Sequence, residues 1–392
     1  MPPVFPNGWI PVALSSEVEP NKVISLSVLG VELVAFRTKD GTARVMDAYC
    51  PHLGAHLGVM GRMVEDCIEC PFHGWRFRGV DGVCAYVPYS SKTPEFAKVK
   101  TWQVKEVYGL VLVWYHADGE DPTWDMVEED GCPIGQRKRT GLWERRVFAH
   151  IQDIAENGAD ASHFNHLHKA STFVGQEEYA RVSGDSWACR VLSFEYDVKW
   201  NECGVKSTAA TDLHIKLFGR KCFTYQIYFW QLGPAVNVVR AKGLYGDLLY
   251  VLSFTPQGPL DLRIAIQTFG DTSLLWPARK FMESATGIML DRDIIVWNRK
   301  AFLQRPLLVK EDHAIRSFRK WYSQFYSSKS LKWQEVKEKT LYWPVFSKYR
   351  SNESRISSIL AASPSGRAQP SRLDGLDAGG RRLSALFLSS VK

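Results

Sequence analysis

The sequence predicts an α+β fold, in which an N-terminal all-β domain precedes a domain where helices cover an antiparallel sheet. Between residues 22 and 115 the apolar residues form short strand-like runs, separated by turns such as Lys39-Asp40-Gly41. Further strand-like runs lie at residues 222–231, 250–254 and 262–269. Two helical patterns, at residues 276–303 and 315–326, follow them. Strands and helices segregated along the chain in this way are typical of the α+β class.

The chain of 392 residues is long enough for two domains with hydrophobic cores of their own. We expect the first domain to span residues 7–118 and the second to span residues 135–349. The charged segment at residues 118–139 contains Gly and Pro, which is typical of a domain boundary. Residues 350–392 are rich in Ser, Arg, Ala and Gly and poor in aromatic residues, which predicts a disordered tail.

Apolar runs and cysteine content indicate an intracellular protein. No stretch reaches the roughly eighteen uncharged apolar residues that would cross a bilayer. The start, Met1-Pro-Pro-Val-Phe-Pro, has neither the basic residues nor the apolar core of a secretion signal. Eight cysteines are too few for a disulfide scaffold in a chain of this length. In a reducing compartment, cysteines clustered beside histidines indicate a metal site.

The positive charge is concentrated in the C-terminal quarter. Residues 299–392 contain 19 Lys and Arg against 7 Asp and Glu, whereas the rest of the chain contains 30 against 35. Such a basic region could bind an acidic protein partner or an anionic membrane surface. A solvated tail and helix face would have the same composition. No nucleic-acid-binding motif accompanies the charge, so we expect no nucleic-acid partner.

Two short motifs in the first domain each combine a cysteine with a histidine. Cys50-Pro-His52 is followed, after seventeen residues, by Cys70-Pro-Phe-His73. A Rieske [2Fe-2S] cluster needs this set, because two thiolates hold one iron and two imidazoles hold the other. Structural zinc also uses two Cys and two His, but zinc fingers usually pair Cys with Cys and His with His. The motifs therefore predict a [2Fe-2S] cluster on these four residues.

A second group of metal-binding residue types lies at residues 156–168. It contains Glu156, Asp160, His163, His166 and His168. Fe(II) sites that activate O₂ use two histidines and one carboxylate and keep other positions open. Helical spacing does not select the pair, since His163 and His166 share a face whereas His163 and His168 do not. Histidines that only line a helix end are the alternative.

Two carboxylates in the long helical pattern could complete such a site. Asp291 and Asp293 both have apolar residues three and four positions away. A carboxylate on an apolar face is costly unless it binds a metal or a cation. Because this holds for both, burial alone does not choose between them.

The cysteine and histidine motifs resemble the Rieske domain of oxygenases. In those proteins C-x-H and C-x-x-H are followed by Gly-Trp, and here the second motif continues as His73-Gly-Trp75. Rieske proteins of respiratory complexes carry two extra cysteines, where this chain has Ala55 and Phe72. The resemblance therefore favours the oxygenases over a respiratory subunit.

The same resemblance implies the ligands of a mononuclear Fe(II). The oxygenase pattern D-x-x-H-x-x-x-x-H corresponds to Asp160, His163 and His168, which leaves His166 outside the site. The family pattern of Asp followed four residues later by Trp selects Asp293 as the carboxylate ligand. In the family, the Asp at position 160 bridges the iron site to a cluster histidine of the neighbouring subunit. This implies a catalytic relay through Asp160 and a ring-shaped homotrimer.

From about residue 7 to residue 326 the chain resembles the Neverland-type cholesterol 7-desaturases and the oxygenase component of 3-ketosteroid 9α-hydroxylase. The residues that carry this resemblance lie at 47–55, 67–75, 157–164, 305–308 and 320–326. It implies removal of two hydrogens at C7–C8 of cholesterol to give 7-dehydrocholesterol, in steroid hormone biosynthesis. The reaction would consume O₂ and NAD(P)H.

Electron supply and membrane contact are further expectations. The chain has no GxGxxG loop after a strand, so electrons from NAD(P)H should arrive through a separate flavin reductase or ferredoxin. Neverland-type proteins usually begin with a transmembrane stretch, which this sequence does not show, so we expect peripheral contact with a membrane.

Two other functions remain open on the residues alone. One is a monooxygenase that hydroxylates a steroid or another apolar ring. The other is a Rieske electron carrier or redox sensor without substrate chemistry. A carrier needs no second iron, so the set of His163, His168 and Asp293 distinguishes it from the two enzymes. Only the resemblance favours desaturation over hydroxylation.

Overall fold

The computed structural model describes residues 1–135, 137–169, 191–243, 246–270 and 276–339. Their secondary structure confirms the predicted α+β class, with small sheets first and a large antiparallel sheet with helices after them. The tail for which disorder is predicted, residues 350–392, lies outside the described residues.

Three small antiparallel sheets form the described part of the N-terminal region. Their strands are β1 (Gly8–Leu14), β2 (Val23–Val28), β3 (Val31–Arg37), β4 (Ala43–Asp47), β5 (Arg62–Val64), β6 (Cys67–Glu69), β7 (Arg76–Arg78), β8 (Cys84–Tyr86), β9 (Val104–Val107) and β10 (Leu110–Tyr115). The sheet orders are β1-β10-β9, β2-β3-β4 and β5-β6-β7-β8. The predicted turn joins β3 to β4, and Gly41 supplies its positive φ of 81°.

A seven-stranded antiparallel sheet is the centre of the second region. Its strands are β11 (Lys138–Val147), β12 (Leu192–Cys203), β13 (Lys206–Leu217), β14 (Arg220–Leu232), β15 (Val236–Gly243), β16 (Gly246–Gly258) and β17 (Asp261–Gly270). Their order is β11-β17-β16-β15-β14-β13-β12, so successive strands are neighbours except at β11, which pairs with β17. The three predicted strand-like runs lie within β14, β16 and β17.

Five α-helices are described. They are α1 (Ile151–Ala155), α2 (Ala161–Leu167), α3 (Trp276–Trp297), α4 (His313–Tyr322) and α5 (Trp333–Lys339), and 3₁₀ segments lie at Glu156–Ala159, Lys310–Asp312 and Ser323–Phe325. The pattern extends to residue 303, but α3 ends at Trp297. The next residue, Asn298, contacts another element, since its Oδ1 accepts a hydrogen bond from the Phe148 amide at 2.7 Å. Among the described helices, none has the length and apolar character to span a bilayer.

The N-terminal strands pack directly on the large sheet. Every residue of β1 is buried, and Leu14 shares one hydrophobic core with Leu112 of β10 and with Leu249 and Val251 of β16. Burial of these side chains supplies the main favourable free energy for the contact. The sheet carrying β1 and β10 is therefore fixed to the second region rather than linked by a flexible connection.

The segment that precedes α2 is held by ion pairs with buried carboxylates. The Glu156 carboxylate accepts hydrogen bonds from Arg319 of α4 at 2.5 and 3.0 Å, and both side chains are largely buried. Lys300 Nζ lies 2.9 Å from Asp153 Oδ1 of α1, and burial raises the pKa of that carboxyl. These pairs connect α1 and the 3₁₀ turn to the residues that follow α3.

We expect Arg319→Ala to lower the free energy of unfolding by about 3–5 kcal/mol, because Glu156 would remain buried with only Lys300, whose Nζ lies 4.0 Å away, as a cation. Chemical denaturation followed by circular dichroism measures the change. Arg145→Ala is the matched control, since the Arg145–Asp291 pair is partly exposed and its loss should cost less than about 1 kcal/mol. Equal losses in the two variants would contradict this account of the buried pair.

Candidate metal centres and active-site cavity

The two Cys-His motifs form loops with the same hydrogen-bond pattern. One loop follows β4 and the other follows β6. In each, the glycine after the motif donates its amide to the cysteine carbonyl, Gly54 to Cys50 at 2.9 Å and Gly74 to Cys70 at 3.0 Å. Both glycines have positive φ, 73° and 71°, which a side chain would oppose. The loops therefore present their cysteines and histidines in the same local geometry.

The four side chains of these loops meet at one end of the N-terminal region. Cys50 and Cys70 are buried, and burial raises the pKa of the Cys50 thiol to about 11, an effect to which Cys70 adds. The His52 and His73 rings lie 4.6 Å apart, and His52 stacks on Trp75. His52 Nδ1 is buried without a hydrogen-bond partner among the described residues. Two adjacent buried thiols and an unpaired imidazole nitrogen fit a bound metal cluster, which would stabilise the thiolates.

The second candidate centre begins at the N-terminus of α2. Asp160 caps this helix, because its Oδ1 accepts a hydrogen bond from the His163 amide at 3.2 Å. His163 Nδ1 lies 2.5 Å from the Asp160 carbonyl oxygen, so this nitrogen donates and Nε2 is left to accept. Asn157 Nδ2 lies 3.0 Å from that Nε2. The sequence did not predict this contact between Asn157 and His163, although both residues lie within the segment 157–164 that carries the family resemblance.

His163, His168 and Asp293 come together in the structure. Their candidate ligand atoms all lie within 4.8 Å of one another, and His168 Nε2 is 3.1 Å from Asp293 Oδ1. His168 is 3% exposed and Asp293 is 6% exposed. Burial lowers the pKa of His163, which favours the neutral imidazole that a metal requires. Two histidines and one carboxylate in this arrangement fit a mononuclear iron site. His166 is exposed and does not belong to this group.

The two candidate carboxylates of α3 have different surroundings. Asp291 accepts two hydrogen bonds from Arg145 of β11, at 3.0 and 3.2 Å. Asp293 is two residues further along the helix, a rotation of about 200°, and lies beside His168. Asp291 therefore has a cation on the partly exposed face, whereas Asp293 lies in the buried group.

A deep apolar cavity opens beside His168 and Asp293. Its walls include the aromatic residues Phe164, Phe194, Phe229, Phe254, Phe281 and Trp297. Alternate residues of β13–β17 form one wall, and α3 forms another through residues such as Met282 and Met289. Cavities that are mostly apolar with few polar groups are typical of sites for apolar small molecules. The sequence did not predict these walls, because any buried core would have the same residue types.

Asp160 faces away from this cavity and is accessible. Its carboxylate is about one third exposed and borders a polar groove. The groove is also lined by Lys199, Trp200, Glu311, Asp312 and His313. At the Cys-His loops, Leu53 and Phe72 are exposed next to the histidines. Both candidate centres thus have a surface through which another protein could approach them.

Two protein families match consecutive parts of the chain. The Rieske [2Fe-2S] domain matches residues 8–102, and the 3-ketosteroid 9α-hydroxylase C-terminal domain matches residues 113–326. With the two candidate metal centres, these matches define an oxidoreductase of the Rieske oxygenase class that contains a Rieske [2Fe-2S] domain and a catalytic domain for mononuclear iron.

Curated relatives narrow the class. Cholesterol 7-desaturase nvd 1 of Ciona intestinalis is 37% identical over 84% of this chain and 70% of its own length. Cholesterol 7-desaturase nvd of Drosophila melanogaster is 35% identical over 86% and 78%. The chain belongs to the cholesterol 7-desaturase family. A more distant relative, the probable 3-ketosteroid-9-alpha-monooxygenase oxygenase component of Rhodococcus rhodochrous, is 27% identical over 83% and 81%.

Solved structures support the same fold at lower identity. Dicamba monooxygenase bound to dicamba superposes with a TM-score of 0.62 and 17% identity, covering 81% of this chain and 96% of that chain. NdmA of Pseudomonas putida CBB5 with theobromine gives a TM-score of 0.59 and 18% identity, covering 83% and 94%. At these identities the likeness concerns the fold alone.

Proposed function

We propose that this protein desaturates cholesterol at C7–C8 to give 7-dehydrocholesterol. The observation that carries the proposal is the apolar cavity lined by His168 and Asp293, whose candidate ligand atoms lie within 4.8 Å of that of His163. An apolar cavity beside three metal-binding side chains suits the oxidation of an apolar molecule and has no use in an electron carrier. The names of the curated relatives supply the substrate and the position of the new double bond.

The ligand assignments are part of this proposal. Cys50, His52, Cys70 and His73 would hold the [2Fe-2S] cluster, and His163, His168 and Asp293 would hold Fe(II). When bound, the cluster supplies electrons one at a time and Fe(II) supplies the activation of O₂. The Asp160 carbonyl fixes the tautomer of His163 by accepting from Nδ1, and the apolar walls exclude water from the cavity.

Asp160 is the proposed electron relay, and its surroundings support a homotrimer. A carboxylate can accept hydrogen bonds from imidazoles on two sides and so order both of them. The Asp160 carboxylate accepts from the backbone amide of His163 and lies 3.8 Å from the Nδ1 of its ring, while it remains partly exposed at the groove. A cluster histidine of a neighbouring subunit could reach it there. In a ring of three subunits, each cluster would serve the iron of its neighbour.

External electron supply and membrane contact complete the proposal. We propose that electrons pass from NAD(P)H through a separate flavin reductase or ferredoxin, for which the basic residues 299–392 are the candidate docking region. The same positive charge would favour peripheral binding to an anionic membrane, where a sterol substrate is available. Residues 340–392 of this region lie outside the described residues.

Hydroxylation of a steroid is the second candidate. The match of residues 113–326 to the 3-ketosteroid 9α-hydroxylase C-terminal domain favours it, because that match covers the cavity and the three proposed iron ligands. The two reactions share removal of one hydrogen from carbon. They differ in whether a second hydrogen is lost or a hydroxyl group is added.

His52→Ala should abolish the EPR signal of the reduced cluster, because one iron would lose an imidazole ligand. The measurement is made on the dithionite-reduced protein. His56→Ala is the matched control in the same loop, since His56 Nδ1 accepts a hydrogen bond from Gly58 and lies outside the ligand set. An unchanged signal in His52→Ala would remove His52 from the cluster assignment.

Asp293→Ala should remove the mononuclear iron and leave the absorption spectrum of the cluster intact, because the cluster and the mononuclear iron have separate ligands. Metal analysis of the purified protein measures the loss. Asp291→Ala, which breaks only the pair with Arg145, should retain the iron. The reverse result, with iron lost only in Asp291→Ala, would show that the carboxylate was assigned wrongly.

Incubation of cholesterol with the protein, a flavin reductase system, NADPH and O₂ should yield a sterol with a conjugated 5,7-diene. Its ultraviolet absorption and mass distinguish it from a hydroxylated product, which would support the second candidate. Omission of the reductase is the control, and it should stop turnover if electrons come from a separate protein. If both metal centres are present and reducible but neither cholesterol nor 3-ketosteroids are converted, the steroid assignment is wrong.

A further inference from the structure

Two polar side chains interrupt the apolar wall that the sheet contributes to the cavity. Tyr250 of β16 is 4% exposed, and its hydroxyl lies beside Thr286 without completing a hydrogen bond among the described residues. Asn237 of β15 has a buried Oδ1 that also accepts no hydrogen bond there. Both residues line the cavity. Buried polar groups are normally paired, so each leaves a position that a ligand could fill.

The register of the sheet places these two residues near each other. Asn237 is opposite Leu252, and Val239 is opposite Tyr250, so Asn237 and Tyr250 are diagonal neighbours on paired strands. Side chains at such positions lie about 7–8 Å apart and on the same face of the sheet. One small polar group between them can therefore contact both.

Tyr250 has a neighbour on the helix that carries Asp293. Thr286, the neighbour of Tyr250, precedes Asp293 by seven residues of α3, which corresponds to about 10 Å along the helix. In a sterol, four carbon–carbon bonds separate the hydroxyl-bearing C3 from C7, roughly 5 Å in space. The difference between these two lengths would accommodate a hydrogen bond between Tyr250 and the hydroxyl group at one end and a metal ion between Asp293 and C7 at the other.

We propose that Asn237 and Tyr250 bind the hydroxyl group of the substrate and thereby determine which carbon faces the iron ligands. The inference rests on the proposed function and specifies the substrate class as apolar polycyclic alcohols. An alcohol both donates and accepts, so it can donate to Asn237 Oδ1 and accept from the Tyr250 hydroxyl. A ketone at the same position can only accept and would leave Asn237 Oδ1 unpaired.

Equilibrium binding tests this assignment without turnover. Trp297 lines the cavity, so tryptophan fluorescence of the metal-loaded protein can report ligand binding. The probes are cholesterol, cholest-5-ene, which lacks the hydroxyl group, and cholest-5-en-3-one, each delivered from cyclodextrin. The wild-type protein should bind cholesterol at least tenfold more tightly than either analogue.

Tyr250→Phe and Asn237→Leu should each reduce this preference at least fivefold and leave the affinity for cholest-5-ene unchanged, because that probe offers no hydroxyl group. Tyr322→Phe is the matched control, since Tyr322 is a buried tyrosine whose hydroxyl donates to the Pro234 carbonyl away from the cavity. It should retain the full preference. In turnover, the two cavity variants should also oxidise carbons other than C7, which a merely structural role would not produce.

The outcomes separate this inference from the proposed function. Failure of the wild-type protein to bind cholesterol would refute both. Wild-type binding and conversion of cholesterol without preference over cholest-5-ene would refute the hydroxyl assignment alone. A preference lost in only one of the two variants would assign the hydroxyl group to that residue and exclude the other.

Discussion

Burial of the Asp293 carboxylate beside an apolar cavity is the constraint on which the catalytic region depends. A carboxylate removed from water is costly unless a cation or several hydrogen bonds compensate it. His168 Nε2 lies 3.1 Å from Asp293 Oδ1 and is itself buried. The fold brings His163 to the same point at the start of α2. A divalent metal held by His163, His168 and Asp293 would offset the electrostatic cost of burying this carboxylate.

The α3 helix carries one buried aspartate, Asp293, and one partly exposed aspartate, Asp291. Its two aspartates are two residues apart, so one pairs with Arg145 of β11 while the other enters the cavity. The same helix supplies Met289 and Trp297 to the cavity wall. Because the two residues are about 200° apart around the helix, Asp291 can face Arg145 while Asp293 faces His168.

Sequence reasoning predicted the fold class and the Rieske family, because the strand patterns and the Cys-His motifs that indicate them depend on residues close together in the chain. The choice between Asp291 and Asp293 rested on a resemblance, since the contact that separates them comes from Arg145, 146 residues away. Asn298, directly after the early end of α3, likewise contacts a residue distant in sequence, Phe148. Asn237 and Tyr250 gave no signal, because each is one polar residue in an apolar strand until the register is known.

Iron ligands alone do not determine the product of such a site. Desaturation and hydroxylation begin with loss of a hydrogen from the same substrate, and the outcome depends on which further atoms lie close enough to react. An apolar cavity excludes water, but it does little to fix the position of an apolar substrate along its length, because dispersion contacts are non-directional. A hydrogen bond is directional and acts over a short range. The position of polar groups such as those of Asn237 and Tyr250 along the wall is therefore what can select one carbon, whereas the metal set supplies reactivity that both products share.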